Sequence, residues 1–186
     1  LARIKSVKVS LSHGELEISS IQPGEAKDVL EFLETITGET DYLIREPGEL
    51  NLSEKEQKEF IENQLKEERS IFIGARVNDQ LAGTLSFSSP PHQRYSHRGS
   101  FGMAVSRRFW NYGIGSHLVR AMIKWAESKG IEKISLEVDA ENHRAIKLYR
   151  KFGFELEGIL KRSKKMLSGE YRDELIMARI FPGKGE

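Results

Sequence analysis

Apolar and polar positions along the chain fall into strand-like and helical runs, and their order lays out a layered domain. Leu16 to Ile21 reads as a first strand. Pro23-Gly24 then opens a helix on which Ala26, Val29, Leu30, Leu33 and Ile36 recur at helical spacing. The pattern breaks at Gly38-Glu39-Thr40-Asp41-Tyr42 into a loop that runs past Pro47-Gly48. Ser53, with Glu56 three residues on, forms a capping box at the head of a charged helix whose thin apolar stripe is Phe60, Ile61 and Leu65.

Ser70–Val77 and Leu81–Ser88 read as strands joined through Asn78-Asp79, a hairpin signal. A polar loop from Pro90-Pro91 through Arg98 leads to a strand at Ser100–Val105, with Phe101, Met103 and Val105 on one face. Gly115–Lys129 carries Leu118, Val119, Met122, Ile123 and Ala126 on one helical face and stops at Gly130. Lys133–Val138 is a strand. Asn142–Phe152 is a helix with Ala145, Ile146, Leu148, Tyr149 and Phe152 inward, stopped by Gly153. Phe154–Leu167 and Tyr171–Ile180 are strands around Ser168-Gly169. The order predicts an α/β or α+β domain, a mixed sheet covered by helices. Residues 1–15 are expected to be an N-terminal extension, 16–181 a single domain and 182–186 a tail.

Composition narrows the chemistry. A length of 186 residues suits one domain with a real core. The formal net charge of +1 names no partner, so nucleic acid or anionic membrane would need a local patch. Cysteine is absent, which excludes disulfides, thiolate metal sites and a cysteine nucleophile. No apolar run approaches the ~18 residues of a membrane helix. The opening Leu1-Ala2-Arg3-Ile4-Lys5 lacks the apolar core of a signal peptide, so a cytoplasmic protein is the default expectation. The five histidines, His13, His92, His97, His117 and His143, show no metal spacing, and no metal is expected.

One segment carries a chemical signal. Arg107-Arg108-Phe109-Trp110-Asn111-Tyr112-Gly113-Ile114-Gly115-Ser116 joins a strand to a helix. Glycines there let an anion approach the N–H groups at the helix start, which together carry roughly +0.5 charge. Taken alone, the pair is as well explained by a tight turn. A dinucleotide-binding fingerprint does not fit, because the glycine spacing is short and the preceding strand is not the first of a parallel series. A phosphate-binding P-loop lacks its Gly-Lys-Ser/Thr.

About thirty residues on comes Asn142-His143-Arg144-Ala145-Ile146-Lys147-Leu148-Tyr149, then Gly153-Phe154. With the glycine turn, this segment resembles the GNAT superfamily of acetyl-CoA-dependent N-acetyltransferases. Their first motif is Gln/Arg-x-x-Gly-x-Gly/Ala between strand and helix. Their second is Asn-x-x-Ala-x-x-Leu-Tyr followed by Gly-Phe. One position departs: the family's Gln/Arg is Trp110 here. The resemblance implies a mostly antiparallel central sheet flanked by helices, with strands splayed at the cofactor site.

The resemblance also implies roles. Met103, Ala104 and Val105 bind the pantetheine arm through their backbone. Trp110, Asn111, Tyr112, Gly113, Ile114, Gly115 and Ser116 hold the pyrophosphate. Asn142 contacts the pantetheine arm, and Tyr149 lies near the thioester sulfur as the group that assists its departure. Glu137 resembles the base glutamate of the ribosomal-protein alanine N-acetyltransferases, with a water relay as the other route to a neutral amine. A backbone N–H of the Met103–Val105 strand would face the oxyanion.

Plainer readings stand beside these. Asn142 is suited to a helix N-cap, Tyr149 to core packing beside Phe152 and Phe154, and Glu137 to a solvated strand face. The basic groups Arg94/Tyr95/His97/Arg98 and Lys161/Arg162/Lys164/Lys165 suit solvated surface or an anionic cofactor better than nucleic acid. Asp41, Glu46 and Glu39 are candidate carboxylates for a cationic acceptor. The acceptor is a primary amine of a small molecule or a peptide N-terminus, with no nucleic acid and no membrane partner expected. A homodimer is one option, a dimer being common for this fold. A non-catalytic acyl-CoA sensor on the same fold is the alternative function.

Overall fold

A computed structural model of the protein describes residues 3–11 and 14–182. His13, and the ends of the expected extension and tail, lie outside those residues. Among the described residues are eight strands: β1 Val7–Leu11, β2 Gly14–Ser20, β3 Ser70–Val77, β4 Gln80–Ser88, β5 Arg98–Val105, β6 Lys133–Asp139, β7 Glu155–Lys165 and β8 Tyr171–Ile180. Four α-helices accompany them: α1 Ala26–Thr37, α2 Glu54–Lys66, α3 Ile114–Ser128 and α4 His143–Lys151. β5 with β6 is a parallel pairing, whereas β1–β2, β2–β3, β3–β4, β6–β8 and β7–β8 are antiparallel. This is the mixed, mostly antiparallel α/β architecture expected. No helix among the described residues is long and apolar enough to cross a membrane.

The chain gathers into two compact units, one running to Ser88 and including Gly102–Trp125, the other taking Ser89–Phe101 and Ala126 onward. In the first, β1 to β4 form a meander. β1 was not legible in the sequence: its VKVSL pattern is mostly exposed, an edge strand with little apolar signature. The β3–β4 turn puts Asn78 and Asp79 at φ 48° and 66°, the left-handed pair that a two-residue hairpin requires. Ile21, Ala26, Val29, Ile61, Leu65 and Phe72 pack as one buried cluster. The capping box of α2 forms as expected, with the Glu56 N–H donating to Ser53 Oγ and the Ser53 N–H to Glu56 Oε2. The stripe of α2 is corrected by one member. Gln57, Ile61 and Leu65 are buried at i, i+4, i+8, whereas Phe60 stands at the stripe's edge, 42% exposed, edge-on to Phe72.

In the second unit, β6 pairs with β8 and β8 with β7. β7 starts at Glu155 rather than at the expected Phe154, because Phe154 is used to end α4. At the C-terminal end of β6, Asp139 is fully buried. Its Oδ2 lies 2.6 Å from Lys164 Nζ and 3.7 Å from Arg172 Nη1, and its Oδ1 accepts the Glu141 N–H at 3.0 Å. The Asp139 carbonyl accepts the Asn142 N–H at 2.9 Å. One buried carboxylate thus gathers two cations from the β7–β8 hairpin and shapes the turn into α4. Removing it takes the buried carboxylate away from Lys164 and Arg172, with Arg172 keeping Glu141 at 3.5 Å, and breaking a buried pair typically costs about 3–5 kcal/mol. Asp139→Ala should therefore lower the melting temperature by about 10 °C. A scanning-fluorimetry shift of less than about 2 °C would remove this ion group from the account.

Candidate active site

The strand-to-helix segment lies wholly in the first unit. The Ser106 N–H donates to the Ala82 carbonyl at 2.9 Å, tying the exit of β5 to β4. A short 3-10 turn, Arg107–Phe109, follows. Next comes Trp110, whose indole N–H turns back to donate to the Val105 carbonyl at 2.8 Å. At the position where this chain departs from the family pattern, tryptophan thus ties the turn to the end of β5. Asn111 and Gly113 then take φ 71° and 78°. A Cβ at Gly113 would meet His117 Cδ2 only at 3.9 Å, so the left-handed backbone, not space, calls for glycine.

The Gly113 carbonyl accepts the His117 N–H at 3.1 Å and starts α3. Buried Ile114 anchors that start. The N–H groups of the first helical turn have no carbonyl partner within the helix, and the dipole there favours an anion. Arg107 lies over the Trp110 ring at 5.8 Å. Arg108 donates to Gln80 Oε1 at 3.2 Å and lies over Phe109 at 5.3 Å. Both arginines remain exposed at the segment. Burial, and then the Arg120 charge, holds the His117 imidazole below its usual range, so it is neutral at pH 7.

Met103, Ala104 and Val105, the last residues of β5, are all half-buried. The expected alternation of faces holds at Gly99 and Phe101, which are buried, and fades over these three. The described ladder between β5 and β6 pairs Arg98, Gly99 and Ser100 with Lys133, Ile134 and Ser135. Met103, Ala104 and Val105 lie beyond its end. Glu39 is not the open carboxylate expected for an acceptor. It accepts the Ser106 hydroxyl at 3.0 Å and the Arg107 N–H at 2.6 Å. The partners are 67 and 68 residues away in the chain, a separation that no local pattern signals.

Glu137, Asn142 and Tyr149 lie in the second unit. Asn142 is the N-cap of α4: its Oδ1 accepts the Ala145 N–H at 3.1 Å. With Oδ1 engaged, the two N–H donors of the side-chain amide remain as its outward chemistry. The helix ends in a paired bonding pattern. The Phe154 N–H donates to the Tyr149 carbonyl at 3.1 Å and the Gly153 N–H to the Arg150 carbonyl at 3.0 Å. Gly153 takes φ 76°, and a Cβ there would stand 2.8 Å from Arg179 Nη1, which donates to the Phe152 carbonyl. The Gly-Phe signature is therefore a helix stop whose left-handed backbone calls for glycine, the tip of the Arg179 side chain being free to yield.

Tyr149 is 7% exposed. Its ring meets Phe101 edge-on at 5.6 Å and Phe154 at 5.8 Å, closing a three-ring cluster. Burial pushes its phenol up to about 12. Glu137, between buried Leu136 and Val138 on β6, is exposed, on the strand face opposite to theirs. Much of the second basic group is matched: Lys161 meets Asp173 at 2.8 Å, Lys164 meets Asp139, and Arg162 lies 3.9 Å over Tyr171. In the first, Arg98 lies 4.6 Å over Tyr95.

The model of the acetyltransferase (GNAT) family matches residues 38–154, which contain both motif segments. L-amino acid N-acetyltransferase AaaT of Escherichia coli (strain K12) is 36% identical over 107 residues, covering 57% of this chain and 65% of that protein. The chain thus spans just under two thirds of that relative's length. The crystal structure of a GNAT-family acetyltransferase from Streptococcus pneumoniae superposes with a TM-score of 0.86 at 29% identity, over 89% of this chain and 99% of that one. The yncA structure from Salmonella typhimurium, solved with its cofactor acetyl-CoA, has the same fold, with a TM-score of 0.80 at 13% identity over 92% and 96% of the two chains.

The burial of Tyr149 sets an alkaline signature. Its folded value lies above the ordinary tyrosine value of 10, so its contribution to stability is complete below pH ~10. It is lost as pH rises through 12, about 3 kcal/mol in all. Of the five tyrosines, one should ionise late in a titration followed by phenolate absorbance, and Tyr149→Phe should delete that late step. An unchanged late step in the variant would assign it elsewhere.

Proposed function

The chain belongs to the acetyltransferase (GNAT) family, and on that premise we propose that it transfers the acetyl group of acetyl-CoA to a primary amine by direct attack on the thioester. The reading rests above all on Tyr149, a buried phenol on the helix that Asn142 caps within the family's second motif. The acceptor is the amine of a small molecule or a peptide N-terminus. The L-amino acid activity named for the Escherichia coli relative supports an amino acid as the first candidate.

In this reading, the first-turn N–H groups of α3, reached through Trp110, Asn111, Tyr112, Gly113, Ile114, Gly115 and Ser116, hold the pyrophosphate. Left-handed Asn111 and Gly113 and the helix start suit an anion. Met103, Ala104 and Val105 bind the pantetheine arm through the backbone, and one of their N–H groups faces the developing oxyanion. The Asn142 amide N–H groups donate to a pantetheine carbonyl.

The raised Tyr149 value changes its assigned step. Full proton transfer from a phenol at about 12 to a free thiolate near 8.5 is uphill by about 5 kcal/mol. Tyr149 therefore acts by donating a hydrogen bond to the sulfur as charge develops there, and the thiolate leaves to collect its proton from solvent. Glu137, directly or through water, takes the proton of the incoming amine. An α-amino group with its ordinary value near 8 asks little of that base.

A thiol-release assay with acetyl-CoA against amino acids, polyamines and peptide N-termini tests the proposal. Turnover should appear on at least one class, and Tyr149→Phe, which removes a hydrogen-bond donor to the developing charge, should lower kcat by about 100-fold. CoA binding without turnover on any amine would replace the enzyme by a sensor module. No binding of acetyl-CoA at all would end the reading.

A further inference from the structure

Glu39 places a carboxylate beside the segment assigned to an anionic cofactor, where a negative charge is electrostatically unwelcome. Its contacts show what it does there. Ser106 is the N-cap of the 3-10 turn Arg107–Phe109, yet its side chain makes no capping bond to that turn. The first N–H of such a turn has no internal acceptor. Glu39 supplies one from another part of the chain: Oε2 accepts the Arg107 N–H at 2.6 Å and Oε1 accepts the Ser106 hydroxyl at 3.0 Å. The other end of the same turn is closed by the Trp110 N–H on the Arg107 carbonyl at 3.2 Å and the Trp110 indole on Val105 at 2.8 Å. Arg107 is thus held through both its N–H and its carbonyl, and the left-handed residues Asn111 and Gly113 follow from that fixed point.

Glu39 is itself fixed. Its N–H donates to the Ile36 carbonyl at 3.1 Å, just past the end of α1, and α1 is anchored by buried Val29, Phe32 and Ile36. The loop of residues 40–52 departs from it. We propose that Glu39 is a positioning residue: it caps the lead-in to the pyrophosphate turn from outside and couples that turn to the loop after α1. The proposal rests on the cofactor reading above. It makes the capping geometry, not the charge, the useful property. A glutamine at this position can still accept the Arg107 N–H through its Oε1 and donate to Ser106 Oγ through its amide.

Calorimetric titration with CoA on the wild type, Glu39→Gln, Glu39→Ala and Ser106→Ala tests this, together with hydrogen exchange of the loop. Glu39→Ala should weaken binding about ten-fold at unchanged stoichiometry, and Ser106→Ala should do so by less. Glu39→Gln should stay within about three-fold of wild type. CoA should protect residues 40–52 from exchange in the wild type and in Glu39→Gln, but not in Glu39→Ala. Wild-type affinity in Glu39→Ala overturns the proposal while leaving the cofactor reading intact. So does tighter binding in both Glu39 variants, which would make the carboxylate a mere repulsive charge. Reduced stoichiometry at unchanged affinity in both variants would mark a purely structural role. A wild type that binds no CoA overturns this proposal and the cofactor reading together.

Discussion

A helix or turn strands N–H groups at its start and carbonyls at its end, and the described structure at the candidate site follows from how this chain satisfies them. Asn142 and the Gly153-Phe154 stop close the two ends of α4. The Gly113 carbonyl starts α3, and Glu39 closes the 3-10 turn ahead of it. In each case the residue that does the closing belongs to, or adjoins, a segment with an assigned chemical role. The first turn of α3, whose N–H groups have no carbonyl partner within the helix, is the end that the family reading gives to an anion.

This explains what sequence alone could and could not supply. Local rules wrote themselves into local patterns: Ser53 with Glu56, Asn78-Asp79, Gly130 and Gly153 all stand where their spacing put them. The apolar faces of α1, α3 and α4 were legible for the same reason, since burial repeats every turn. What escaped has no local period. β1 is an exposed edge strand whose pairing with β2 is its main support. Glu39 finds its partners 67 and 68 residues away, and Asp139 gathers Lys164 and Arg172 from a hairpin further along. Among site residues, the pattern singled out Asn142 and Tyr149, and the plain readings of the two as cap and core are met.

The two readings are compatible because they use different atoms. Asn142 spends its oxygen on the cap and keeps its amide nitrogen. Tyr149 gives its ring to Phe101 and Phe154, while its hydroxyl is a separate matter of proton affinity. Trp110 follows the same logic at a position where the family pattern has a polar side chain, holding the turn's path by its indole N–H.

The closure of α4 also says something about how such segments change over time. The left-handed glycine, the Arg179 guanidinium against the Phe152 carbonyl and the ring contact of Phe154 require only an aromatic ring at position 149, with or without an oxygen on it. Selection on this stretch therefore separates into two independent pressures. Folding preserves the asparagine, the ring and the Gly-Phe stop; the proposed chemistry alone would preserve the hydroxyl. On the proposed function, a descendant that lost that one oxygen would lose most of its rate and still carry nearly the whole recognisable signature.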